Sequence, residues 1–204
     1  FIGCDLREVD LRQATLGEAS FLRSDLESAN LGGATLAGCS FVEASLKGAD
    51  LSRADLRGAD LSRADCAAAS FAGANLGLVI ATFGHFTDAE LGGACLSGAS
   101  LQRASFERAG LEGTSLEGAD CREARFVEAR LTRANLREAK LSHADLSHSV
   151  LTGTDFAKAE LAGANLHRAS TDGASWVGSN RHDARGTDLD LKAAEDWQPP
   201  RGVT

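Results

Sequence analysis

The chain has 204 residues, a formal net charge of −8 and a charged fraction of 25%. One mildly acidic domain is expected, with no apolar run near the roughly 18 residues of a membrane span and no charged-then-apolar leader. Five cysteines with no Cys-x-x-Cys pair and no Cys/His cluster give neither a disulfide framework nor zinc-site spacing, so reduced thiols and a cytoplasmic location are expected.

Residues 1–76 are the most regular part. The stretch from Ala44 to Asp65 reads ASLKGADLSRADLRGADLSRAD, a five-residue unit with Ala first, a small polar residue second and Leu third. The Leu slot recurs every five residues from Phe1 to Trp176 without insertion or deletion. Of 36 such slots, 31 hold Leu or Phe, and the exceptions are Cys66, Ala81, Cys121, Thr171 and Trp176. Two residues earlier, 26 of 35 positions are Ala. This register excludes a helix, because five residues at about 100° each make successive Leu positions drift by about 140°. A long strand fails too, since odd steps alternate faces. Slots two apart do share one side of a short extended segment, so a chain that turns after every unit closes into a coil with Ala and Leu inside.

With its A(D/N)LXX unit, the sequence resembles the pentapeptide-repeat family over residues 1 to about 180. The resemblance implies an all-β fold, a right-handed quadrilateral β-helix with four units per coil. About nine coils at a strand spacing of ~4.8 Å make a rod ~43 Å long. The domain expected is the β-helix at 1–181, followed by a cap or tail at 182–204. Aromatic spacing agrees with 20-residue coils: Phe1, Phe21 and Phe41 are one series, Phe86, Phe106 and Phe126 another, Phe156 and Trp176 a third.

The polar slot holds Asp5, Asp10, Asp25, Asn30, Asp50, Asp55, Asp60, Asp65 and Asn75 among others. These residue types bond to nearby backbone and tolerate turns, so their role is read as structural. The slot after Leu faces outward, yet it holds Ile2, Leu22 and Val42 in successive coils. Such a ridge is a candidate covered surface. The chain has no Met and starts within a repeat, which suggests a fragment or a trimmed chain with an uncapped first coil.

Residues 77–88, GLVIATFGHFTD, depart from the rule. Ala81 sits in the Leu slot and Val79 in the Ala slot, while Leu78, Ile80 and Phe83 fall in outward positions. Either the coil distorts and turns Ile80 and Phe83 inward, or an apolar binding spot lies in mid-rod. Residues 89–121 are acidic. Arg122 to Lys140 then carries six basic and three acidic residues, read as a salt-bridged face because no aromatics interleave for base stacking. His143 and His148 fall on adjacent sides and make no metal pair. Residues 187–197 read as a short helix, capped by Thr187 or Asp188 and stopped by Pro199 and Pro200. Its Leu189, Leu191 and Trp197 could cover the last coil, and family members often dimerise through such a helix.

No catalytic motif, cofactor loop or metal set is found, and a Leu/Ala core leaves no internal pocket. The chain is therefore read as a non-enzymatic scaffold for an unknown protein partner, with no direct nucleic-acid binding. Its candidate contacts are Ile2, Leu22, Val42, Leu78, Ile80, Phe83 and Trp197. The resemblance implies an alternative: the best-known members mimic B-DNA, bind DNA gyrase or topoisomerase IV and protect against quinolones. An inert spacer is a third reading.

Overall fold

The computed structural model describes residues 1–196. Parallel bridges join polar-slot residues 20 apart, from Asp5 with Asp25 to Asp155 with Ser175, and a further one joins Asn165 with Arg185. Twenty residues are four five-residue units, so the chain winds into a four-sided parallel β-helix.

One unit, Asp50–Ala54, shows why five residues suffice. The Asp50 N–H donates to the Ala29 carbonyl of the coil below at 2.9 Å, and those of Leu51 and Arg53 donate to Ser70 and Ala72 of the coil above at 2.7 and 2.9 Å. The Ala54 N–H closes a turn on the Leu51 carbonyl at 3.1 Å. The fifth N–H, that of Ser52, donates to Asp50 Oδ1 at 2.9 Å. Every donor is thus accounted for, and an Asp or Asn side chain supplies the last acceptor. Asp5, Asn30, Asp60, Asn75, Asp145 and Asn165 do the same for the residue two places on. The structural reading of the polar slot follows from these contacts.

The turn needs a left-handed residue at its third position, as in a type II turn. Glycine fills it at Gly48 and Gly58, with φ of 61° and 64°, but Arg53 and Arg63 adopt the same conformation at 57° and 56°. The cross-coil ladder holds these residues in a region that side chains otherwise avoid.

The core is the stack of inward slots. From Phe21 to Leu166 their apolar side chains are buried, while Phe1 at the first coil stays 56% exposed. Aromatic rings stack from coil to coil: Phe21 on Phe41 at 4.9 Å, Phe86 on Phe106 at 4.9 Å, and Phe156 on Trp176 at 4.4 Å. Thr114 and Thr154 occupy Ala slots and donate to the Leu91 and Leu131 carbonyls at 2.7 Å, so no buried hydroxyl is left unpaired there.

Segment 77–88 does not distort. Bridges pair Ile80 with both Asp60 and Ser100 and His85 with Asp65 and Ser105, and Leu78, Ile80 and Phe83 remain 70%, 43% and 40% exposed. Core volume explains the unusual residues. Phe71 and Phe86, on neighbouring sides, bring their rings to 5.8 Å, and small residues flank them at Cys66 and Ala81. Phe86 also excludes Ala from the next small slot, since a Cβ on Gly84 would lie 2.8 Å from Phe86 Cε2 and 3.0 Å from the Ala81 carbonyl oxygen.

Beyond Trp176 a 3-10 turn, Arg181–Asp183, leads to helix α1, Leu189–Asp196. Asp188 caps α1, its Oδ1 accepting from the N–H groups of Asp190 and Leu191 at 3.0 Å. The expected apolar cover is not made by the described part of the helix: Leu189 and Leu191 are 75% and 48% exposed. An eight-residue helix places few side chains on one face, and here polar groups make the contact. Trp197, Pro199 and Pro200 lie outside the described residues.

Gly84→Ala should destabilise the chain by about 1–3 kcal/mol through overpacking against Phe86. Thermal unfolding followed by circular dichroism measures this, and an unchanged midpoint would contradict the packing account.

Candidate functional site

The 20-residue register places the apolar exceptions. Ile2, Leu22 and Val42 follow Phe1, Phe21 and Phe41 in the inward slot, so they form one outward column, Ile2 exposed and the other two half-buried. Ile80 and Phe83 flank Ala81, which occupies the same side two coils beyond Phe41. One side of the coil therefore carries both groups, with Ser62 and Arg63 between them. Leu78 sits at the preceding corner, leaning over Gly98, where an added Cβ would meet Leu78 Cδ2 at 2.9 Å.

Phe83 is the midpoint of a ladder that runs along this side. Arg23 Nε meets Glu43 at 2.7 Å and Arg63 reaches Glu43 at 3.6 Å. The Arg63 and Arg103 guanidiniums lie over the Phe83 ring at 6.0 and 5.5 Å, one from the coil before and one from the coil after. Arg103 in turn meets Glu123 at 2.9 Å. Glu43 and Glu123 orient the two guanidiniums, and these hold the ring by cation–π attraction. Between the two arginines Phe83 remains 40% exposed. Thr82, Gln102, Arg122 and Glu123 complete a shallow recess of about 460 Å³ beside it.

Four of the six basic residues of the run are paired, and Arg133 and Lys140 make no ion pair among the described residues. Arg122 bonds Asp120 at 2.6 Å, Arg125 meets Glu107 at 2.9 Å, Arg130 bridges Glu90 and Glu112 at 3.0 and 2.7 Å, and Arg137 meets Asp155 at 3.1 Å. The salt-bridged reading of residues 122–140 agrees with these contacts. Hydrogen bonds from Arg122 hold the Asp120 carboxyl below its usual range against the opposing effect of burial, with Gln102 adding a further donor. Arg7 and Arg12 lower the Asp5 and Asp10 carboxyls to about 2 in the same way, but those pairs are exposed and contribute little to stability.

A second feature escaped the sequence reading. His143 and His148 do not meet, but His148 and His167 do, with ring centroids 5.5 Å apart and planes at 65°. They lie 19 residues apart, one coil less one residue, so coil arithmetic alone would have paired them. Glu195 of α1 joins them, with Oε1 3.6 Å from His148 Nε2 and Oε2 3.3 Å from His167 Nε2. His167 is buried, and its Nδ1 accepts the Asp188 N–H at 3.1 Å. One imidazole thereby contacts both the start of α1 and its last turn, across a cleft of about 540 Å³. No spacing in the sequence announces Glu195, because helix docking fixes its place.

Coils, core and outward ladders define a β-helical solenoid of five-residue units. Pentapeptide-repeat models match residues 4–41, 39–77, 85–120, 104–142, 114–153 and 134–174. The chain is 32% identical to HetL, a protein involved in heterocyst differentiation regulation from the cyanobacterium Nostoc sp. strain PCC 7120, over 87% of each chain, at a TM-score of 0.32. It is 29% identical to a pentapeptide repeat protein of the Arabidopsis thaliana thylakoid lumen, covering 56% of this chain and 81% of that one, at a TM-score of 0.47. A trypsin-treated form of QnrB1, a plasmid-mediated fluoroquinolone resistance protein, matches at 17% identity and a TM-score of 0.51 over 96% of this chain and 93% of that one, a likeness of fold. A comparison with curated proteins gave no match. The chain belongs to the pentapeptide repeat family, whose fold is a right-handed β-helix. Among the described residues no helix is long and apolar enough to cross a membrane.

Two outcomes follow. A double-mutant cycle of Phe83→Leu with Arg103→Ala should give a coupling of about 0.5–1 kcal/mol, and additive effects would remove the cation–π contact. Asp120 should support stability above the unfolded carboxyl value of about 3.9 and lose that support as pH falls through its lower folded value. Thermal unfolding between about pH 5 and 2 should therefore show a shallower acid decline in Asp120→Asn than in the parent chain, whereas parallel declines would contradict this.

Proposed function

We propose that this chain is a non-enzymatic, cytoplasmic interaction scaffold, a rod of about nine coils that offers one side to a protein partner. The observation that carries this reading is the gathering of Ile2, Leu22, Val42, Ile80 and Phe83 on one side of the coils, whereas the other exposed large apolar residues in outward slots of the coils, Leu78, Val150 and Val177, lie apart from that column. Phe83 is held in place before any partner arrives, which lowers the ordering cost of binding through it. Leu78 widens the contact at the adjoining corner. The five cysteines are free, as a reducing compartment favours. Exposed Leu189 and Leu191 offer a separate contact to a second copy of the chain, a homodimer through the C-terminal segment that includes Trp197.

A second reading follows the fold of QnrB1: a B-DNA mimic that binds gyrase or topoisomerase IV and confers quinolone protection. Charge supports it less. A duplex carries one charge per ~1.7 Å, so ~43 Å of DNA holds about 25 negative charges. This chain has a net charge of −8, and its arginines alternate with carboxylates along the coils. Gyrase supercoiling assayed with the chain, with and without a quinolone, is the discriminating measurement, and no effect in either case would remove this reading.

The 204-residue chain and the variants Leu22→Asp and Phe83→Asp should be compared by affinity capture and by light scattering after size exclusion. The scaffold reading expects each variant to lose a captured protein or change the oligomeric state. Identical capture and identical mass for all three would sink it.

A further inference from the structure

We propose that the cleft between the last coils and α1 binds one divalent transition-metal ion of the zinc class, with His148, His167 and Glu195 as its protein ligands. The three donor atoms lie within 4.8 Å of one another. Glu195 turns a different oxygen to each imidazole, Oε1 at 3.6 Å from His148 Nε2 and Oε2 at 3.3 Å from His167 Nε2, and each separation is close to the roughly 3.3 Å between donors bonded to a tetrahedral ion at 2.0–2.1 Å. The imidazole planes are inclined at 65°, so both Nε2 atoms approach the carboxylate without stacking. Two imidazoles and one carboxylate form a nitrogen–oxygen set suited to such ions, and the cleft leaves room for water at the remaining position.

The arrangement of α1 gives the ion a role. The helix has eight residues, and its Leu189 and Leu191 are exposed. Its described side-chain contacts with the coils are polar: Arg168 with Asp196 at 2.6 Å and with Glu195 at 3.5 Å, beside the two histidines. Partly exposed ion pairs of this kind contribute little, and a helix this short is marginal by itself. An ion held by two coil residues and one helix residue would turn its binding free energy into docking of the cap.

The ring proton sets the affinity. Nδ1 of His167 accepts the Asp188 N–H, so in neutral His167 the proton resides on Nε2 and is donated to Glu195. Coordination through Nε2 moves that proton to Nδ1, and the Asp188 N–H must turn aside. This competition is expected to make binding weaker than at a preformed structural zinc site.

The test is calorimetric titration of the full 204-residue chain with zinc chloride, with the visible absorption of added cobalt(II) as a second readout. One equivalent should bind. His148→Ala and Glu195→Gln should each weaken it at least about tenfold and abolish the cobalt bands, while His143→Ala and Cys95→Ala leave both unchanged. Both ligand variants alter side chains outside the buried core, so the coils should fold, which circular dichroism checks. Absence of one-equivalent binding, or binding that survives both ligand variants, would overturn the proposal.

Discussion

The fixed 20-residue coil is the constraint on which the rest of this molecule depends. In each interior unit three of the five N–H groups reach a neighbouring coil, one closes the turn, and one is met by an Asp or Asn side chain where the unit has it. A single residue inserted within the extended part of a unit, and not looped out at a corner, would shift these bonds together. It would also reverse which side chains face inward, since strand faces alternate. The 36 slots accordingly run without an inserted residue, so every coil keeps the same register. Positive φ values at bulky residues such as Arg53 and Phe83 show how strongly the ladder dictates local geometry.

The same constraint turns outward positions into columns. A residue in one coil has its neighbours 20 residues away, and surface chemistry is written along the rod. Arg23, Glu43, Arg63, Phe83, Arg103 and Glu123 form one such column, in which an aromatic ring takes a place within an alternating charge ladder. The arginines satisfy the carboxylates on one side and the ring on the other. This is why the acidic total does not become a continuous negative surface, and why the apolar residues on this side stand out chemically.

Most of the fold was legible because the period is short and rigid. The slot rule identified the core from Phe21 to Leu166, and the Phe spacing matched the observed ring stacks. The sequence leaves the placement of Ile80 and Phe83 open, since a local distortion of the coil would hide both of them. Packing decided it: Ala81 and Gly84 accommodate Phe71 and Phe86 inside the coil, and the outward residues stay outside. The C-terminal contacts were least legible. His148 and His167 obey coil arithmetic, but Glu195 and Arg168 meet across a tertiary contact that no repeat encodes.

The claim that the register passes intact through residues 77–88 places Phe83 and Ile80 on the same side as Ile2, Leu22 and Val42. Amide hydrogen exchange on the full chain tests it most directly. The amides of Leu78, Ile80, Phe83 and His85 donate to the Ser97, Ala59, Gln102 and Ala64 carbonyls at 2.9–3.0 Å. They should exchange as slowly as those of Gly58, Asp60, Arg63 and Asp65 one coil earlier. Fast exchange confined to residues 77–88 would mean that the coil opens there, and the single interaction side would then not exist.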